Sequence, residues 1–123
     1  MIFYKPIVDI NSIKIEFPNI NFDSNTFGAY IGFDEDGSYV GKSLVCINGY
    51  NCNIIALNCD YTDKLLVEGF LRASLNFCAN RNAYMAHCEI SEISEILEYL
   101  GFEKNNGVYS GDIPTLLKGN CCK

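Results

Sequence analysis

His87 is the one histidine of the chain, in the run AYMAHCE of residues 83–89. An imidazole titrates near neutrality, so His87 is a candidate general base; the plainer reading is a hydrogen-bonded strand histidine with no chemistry. Residues i and i+2 of a strand share a face, so Glu89 can couple to His87 while Cys88 points the other way. Tyr99 and Tyr109 are candidate hydroxyl donors, or aromatics at the edge of a cleft. Arg72, set among Phe70, Leu71 and Ala73, is either a solvated helix-face residue or an anion contact.

The seven cysteines are Cys46, Cys52, Cys59, Cys78, Cys88, Cys121 and Cys122. No CxxC pair occurs, so no single-chain zinc site is expected, and no metal site is assigned. The first five read as reduced, mostly buried thiols serving as small hydrophobes. Adjacent Cys121 and Cys122 beside Lys123 are candidates for reactive thiols, or for a soft-metal site completed by another chain. The alternative is an incidental tail.

The elements that position these groups belong to one domain, residues 1–123, with residues 113–123 as a C-terminal tail. A chain of 123 residues that is 49% apolar can bury a sizeable core. Net charge is −6, spread along the sequence with no basic stripe. That balance disfavours nucleic acid and anionic membrane as partners. No apolar run approaches the roughly 18 residues that span a bilayer, and the first residues lack a signal-peptide core, so a cytoplasmic location is expected.

Ile13, Ile15 and Phe17 alternate with polar residues, which predicts a strand over residues 12–17, followed by loop to residue 27. A meander comes next: strand 28–33, a turn at Asp34-Glu35-Asp36-Gly37, strand 38–47, a type I′ hairpin at Asn48-Gly49, and strand 51–59. The near-continuous Ile54, Ile55, Ala56 and Leu57 suggest cover on both faces of the last strand. Asp60 or Thr62 caps a helix whose stripe is Leu66, Phe70, Ala73 and Phe77, ending near Asn80 or Asn82. Strand 83–89 is expected to lie parallel to strand 51–59 through a βαβ crossover. Ser91 is the expected N-cap of a second helix, with Ile93, Ile96, Leu97 and Leu100 on its inner face. Gly101 ends it in a Schellman motif with Phe102. A hairpin turning at Asn105-Asn106-Gly107 and a helical turn over 115–118, ended by Gly119, complete the chain. The fold class is α+β: a mixed sheet with an antiparallel meander, one parallel βαβ pair and two main helices.

This order, with a helix ending in Glu98-Tyr99-Leu100-Gly101-Phe102-Glu103, resembles the GNAT superfamily of acyl-CoA-dependent N-acyltransferases over residues 28–109. The resemblance implies a GNAT-like sheet and acetyl-CoA as cofactor, with its pyrophosphate at the first turn of the helix that follows strand 51–59. The matching segment here is DYTDKLLV, residues 60–67. The implied contacts are backbone amides of Thr62, Asp63, Lys64 and Leu65. The segment lacks the family's GxG glycines and carries Asp60 and Asp63, which oppose an anion. The family's general-acid tyrosine matches Leu97, with Tyr99 two residues on, and its helix-opening asparagine matches Ile90. No room remains for the family's first two helices between Phe17 and Gly28.

Two readings follow. One is an acyltransferase with a divergent pyrophosphate loop, in which His87, Glu89 and Tyr99 are the catalytic candidates, a water or His87 relays the amine proton, and the ligand is a small molecule or acyl-CoA. The other is a non-catalytic module that keeps the fold, lacks coenzyme A, and binds a partner or a second copy of itself as a homodimer. The gap between strands 51–59 and 83–89 discriminates them, since acyl-CoA needs it open.

Overall fold

The turns of the meander set its register. The structure is a computed structural model that describes residues 1–23 and 25–118. Strand β2 (Thr26–Phe33) turns back as β3 (Tyr39–Asn48) through Asp34, whose Oδ1 accepts the Asp36 and Ser38 amides at 3.0 and 2.9 Å. The loop between β3 and β4 (Asn51–Cys59) is Gly49-Tyr50, one residue later than expected. Asn48 pairs with Asn51, and only Gly49 has positive φ, +63°, which is the type II′ pattern rather than type I′.

The start of the chain corrects the sequence reading. Residues 3–7 form a first strand, β1 (Phe3–Ile7), antiparallel to β2, and Ile10–Glu16 is a helix, α1, where a strand was expected. Asp9 decides it: its carboxylate accepts the Ser12 amide at 3.0 Å and the Ser12 hydroxyl at 2.7 Å, capping the first turn. Ile13 and Phe17, one turn apart, are buried, while Ile15 is 76% exposed. The alternation of Ile13, Ile15 and Phe17 is thus the inner face of a short helix plus one solvent-facing isoleucine.

Helix α2 (Lys64–Ala79) crosses from β4 to the parallel strand β5 (Met85–Cys88). Asp63 is its N-cap, and Asn82, with φ +68°, turns the chain out of it. A 3₁₀ turn at Ser91–Ile93 then leads into α3 (Ser94–Leu100). Ser91 is therefore not the cap of α3: that position falls to Ile93, with no side-chain bond. The other end is as expected. Gly101 has φ +114°, its amide reaches the Glu98 carbonyl at 3.1 Å, and the Phe102 amide reaches the Leu97 carbonyl at 2.9 Å. These are the two bonds of a Schellman motif. Strands β6 (Glu103–Asn105) and β7 (Val108–Asp112) turn at Asn106-Gly107, both with positive φ, and α4 (Ile113–Lys118) closes the described chain.

The sheet has seven strands in the order β1-β2-β3-β4-β5-β7-β6, antiparallel except for β4 with β5. Val45, Ile54, Leu57, Ala86 and Cys88 point to one face and bury against α2, α3 and α4. Ala29 and Leu44 point to the other face, where α1 covers them. Arg72 ties the helical layer together: Nε donates to Glu68 at 2.8 Å and Nη1 to the Leu117 carbonyl of α4 at 2.9 Å. It holds a helix end rather than an external anion. Residues 113–118, expected to be tail, bury Ile113 and Leu116 in the core.

Cover on both faces of β4 is found only in part: Ala56 packs against the cluster under α1, on the face opposite Ile54 and Leu57. Ile54 and Leu57 are buried, but Ile55 is 39% exposed. Val45 pairs with Ile54 and Leu44 with Ala56, so Ile55 is the additional residue of a β-bulge. The unbroken apolar run comes from that insertion. Cys46, Cys52, Cys78 and Cys88 are buried and Cys59 half-buried. Gly119, Cys121 and Cys122, expected above to end the last helical turn and to form a thiol pair, lie outside the described residues.

Candidate active site

Strands β4 and β5 pair for four residues, from Asn51 with Met85 to Ile54 with Cys88. Then they part. The bulge at Ile55 bends β4, which continues to Cys59, while β5 stops and the chain turns at Ile90. The gap is an open cleft of about 350 Å³, walled by residues 53–55 on one side and 87–90 on the other.

His87 stands at its lip on the sheet face opposite α2. Its Nδ1 lies 2.7 Å from Ser110 Oγ of β7, and its Nε2 lies 2.9 Å from Asn51 Oδ1 of β4. Both ring nitrogens are engaged, so the imidazole is held in one orientation. Glu89 is exposed on the same wall, past the end of β5. The partners of His87 are Ser110 and Asn51, not the Glu89 that the i, i+2 spacing suggested. Asn53, His87, Ser110 and Glu103 form a cross-strand row at one register level of β4, β5, β7 and β6. Sequence reasoning missed Asn51 and Ser110 because nothing in their spacing marks them. Only the pairing of β5 between β4 and β7 brings them to the ring.

Cys88 lines the cleft beneath the sheet surface. Burial pushes its thiol up to about 11, opposed by the Ile90 amide and reinforced by Glu89. A thiol so protonated is not a nucleophile at neutral pH. Tyr109 is buried in the core, with the Lys104 ammonium 5.9 Å from its ring centre, so its ring is a packing element. Tyr99 is 52% exposed on α3 and lines a different hollow, of about 300 Å³, with Lys64, Glu68, Glu95 and Ile96. Leu97 is wholly buried in the core.

The first turn of α2 is occupied from within the chain. Asp60 Oδ1 accepts the Thr62 amide at 3.0 Å and the Thr62 hydroxyl at 2.6 Å, which holds the Asp60 carboxyl below its ordinary range. The Asp63 amide reaches the Asp60 carbonyl at 3.1 Å, and Asp63 Oδ1 accepts the Leu66 amide at 3.2 Å. Lys64 pairs with Glu95 at 2.6 Å across to α3. Of the expected anion contacts, the Thr62 and Asp63 amides are thus already bonded within the loop, and two carboxylates stand beside those of Lys64 and Leu65. Among the described residues no group of three or more His, Cys, Asp or Glu is arranged to hold a metal. No helix there is long and apolar enough to cross a membrane.

No family model matches the sequence, and no curated protein matches it. Solved structures do. A spermidine/spermine N-acetyltransferase from Vibrio cholerae superposes with a TM-score of 0.67 over 96% of this chain and 98% of that one, at 10% identity. The ribosomal-protein-S18-alanine N-acetyltransferase of Escherichia coli gives 0.65 over 92% and 94%, at 9% identity. A Vibrio cholerae spermidine N-acetyltransferase in complex with CoA and spermine gives 0.64 over 88% and 76%, at 11% identity. The strand order, the parallel pair that parts after Ile54 and Cys88, and the two main helices give this chain the fold of the GNAT N-acetyltransferases.

Proposed function

We propose that the protein is an N-acyltransferase that takes its acyl group from a thioester donor, acetyl-CoA in the simplest case, and transfers it to a small-molecule amine. The observation that carries this reading is the open cleft between β4 and β5 with His87 held at its lip. A chain that had given up an acyl donor would have no reason to keep that gap empty, since closing it would bury more surface. The donor arm lies between residues 53–55 and 87–90, and His87 accepts the proton released from the amine. Glu89, exposed beside it, attracts a cationic amine to the cleft. Tyr99 has no part in this scheme, because it lines another hollow. Four of the five described cysteines are buried thiols, which suits the cytoplasm.

Calorimetry with acetyl-CoA tests the reading. Saturable binding is expected, with slowed amide exchange in residues 53–55 and 87–90. No binding at about millimolar donor, near −4 kcal/mol, would sink it.

One observation favours a second reading, a non-catalytic module that keeps the fold. Asp60 and Asp63 occupy the end of α2 that would meet a pyrophosphate. The two readings separate on acetyl-pantetheine, which lacks the pyrophosphate. The acyltransferase reading expects it to bind the cleft at least as well as acetyl-CoA, and the module reading expects neither to bind.

A further inference from the structure

The hydrogen bonds of His87 have a direction. Asn51 Oδ1 lies 2.9 Å from Nε2, and an amide oxygen can only accept, so the tautomer that matches this arrangement carries its proton on Nε2. Nδ1 is then bare, and the Ser110 hydroxyl donates to it at 2.7 Å. That leaves the lone pairs of Ser110 Oγ to accept a hydrogen bond from elsewhere. Asn51, Asn53 and Glu103 are exposed around the pair, while His87 and Ser110 are half-buried. Among the described residues no element lies over this end of the sheet face, because α1 covers Ala29 and Leu44 nearer the other edge and the remaining described helices bury the opposite face.

We infer that Ser110 is the residue that receives the proton of the acceptor ammonium, passing its own to His87, and that Asn51 is the positioning residue that fixes the tautomer this requires. The inference rests on the acyltransferase reading above. In the step, the ammonium gives one proton to Ser110 Oγ as the Ser110 hydroxyl proton moves to His87 Nδ1. The freed amine lone pair attacks the thioester carbonyl, the C–N bond forms, and the C–S bond breaks with its electron pair going to sulfur. The leaving thiolate takes the second proton from nitrogen, and His87 releases the first to solvent. The network holds in both states: in the imidazolium both ring nitrogens donate, to Ser110 Oγ and Asn51 Oδ1, so no partner is lost when the proton arrives. Such a constellation has the general form of a nucleophile or relay hydroxyl, a base and an orienting group, each within hydrogen-bond reach.

Two measurements on the full chain test it. The first needs no substrate: the ring nitrogen chemical shifts of His87 should report the Nε2–H tautomer. Asn51→Ala should mix the tautomers, and Asn51→Asp, which still presents an acceptor, should restore the single one. A ring found as Nδ1–H overturns the assignment. The second is thiol release from acetyl-CoA with a mixture of spermidine, lysine methyl ester and an alanyl peptide as amines. Ser110→Ala should lower kcat about 10²-fold with acetyl-CoA affinity unchanged, His87→Ala should lower kcat by as much, and the double variant should lose no more kcat than either alone. Ser110→Thr, which keeps the hydroxyl, should retain kcat and serves if the alanine variant does not fold. Turnover by the wild type with full kcat in Ser110→Ala overturns the relay and leaves the acyltransferase reading standing. No turnover by the wild type overturns both.

Discussion

Gly69 is the point where α2 is fastened to the first strand, and replacing it with alanine tests how that fastening works. Tyr4 of β1 donates its hydroxyl to the Leu66 carbonyl at 3.1 Å, and its ring meets Phe70 edge-on with centroids 4.9 Å apart. A Cβ added at Gly69 would lie 1.8 Å from Tyr4 Oη and 2.2 Å from its Cζ. The phenol must leave. Alanine gains about 1 kcal/mol of helix propensity over glycine. Against that, the lost hydrogen bond costs about 1 kcal/mol, the lost aromatic pair about 1 kcal/mol, and re-exposure of the half-buried ring about 1–2 kcal/mol. Gly69→Ala is therefore expected to destabilise by about 2–3 kcal/mol, read as a lower urea midpoint at unchanged slope. In a Tyr4→Ala background the same change should stabilise by about 1 kcal/mol, since the clash is gone and only propensity remains. The phenol gives an independent readout. Burial, then Asp63, Cys59 and Glu68, push the Tyr4 hydroxyl up to about 12. A raised value means that folding favours the neutral phenol. Its contribution is whole below pH 10 and is lost as pH rises from 10 to 12. Burial also raises Tyr30, Tyr39 and Tyr61, so ultraviolet titration should show Tyr4 as one of several tyrosines ionising late in the wild type, and that late tyrosine lost in Gly69→Ala. A Gly69→Ala protein as stable as wild type, with the late tyrosine still present, would refute the reasoning.

Three further substitutions bear on the site and its supports. Gly101→Ala forces a side chain into φ +114° and should cost about 1–2 kcal/mol in denaturant unfolding, because the Schellman turn has no relaxed alternative. Arg72→Ala removes charged hydrogen bonds to Glu68 and to the Leu117 carbonyl; about 2 kcal/mol of stability should be lost, with faster amide exchange in α4. Asp63→Ser keeps a side-chain cap for the Leu66 amide and removes a charge. Stability should hold within about 0.5 kcal/mol. A carboxylate about 6 Å from a doubly charged pyrophosphate costs about 1.4 kcal/mol in water, so acetyl-CoA affinity should rise about tenfold while acetyl-pantetheine affinity stays the same.

The elements that the sequence revealed are those whose cause is local. Gly101 and Phe102 announce a helix end because a Schellman turn needs only adjacent residues, and Asn106-Gly107 announces a hairpin because both positions tolerate positive φ. The failures are of a different kind. Ile13, Ile15 and Phe17 fit strand and helix periods alike over so short a stretch, and the deciding residue, Asp9, lies outside it. Ile54-Ile55-Ala56-Leu57 looked like a strand buried on both faces because a bulge cannot be seen until the partner strand is in register. The site shows the same limit more sharply. His87 stood out by its side chain, but its partners are 36 residues before it and 23 after it, and only the sheet order unites them.

The two ends of the candidate donor site carry opposite signals, and their physical origins differ in a way that weighs one against the other. Asp63 begins α2 by accepting the Leu66 amide, a task that serine, threonine or asparagine performs about equally well. Its charge is thus not demanded by folding. Nor is the open cleft: a bulge at Ile55 and an early end to β5 leave a gap that larger side chains at residues 53–55 would fill with a gain in packing. Both features are departures from what stability alone would select. On the acyltransferase reading the cleft would take the extended arm of the donor between two strands, while the acidic first turn of α2, with Lys64 already paired to Glu95, opposes the pyrophosphate that would follow it. A donor recognised chiefly by its thioester arm satisfies both at once. Such a donor would be held by the walls of the cleft, beside the ring of His87, and would draw little from the helix end on which a pyrophosphate relies.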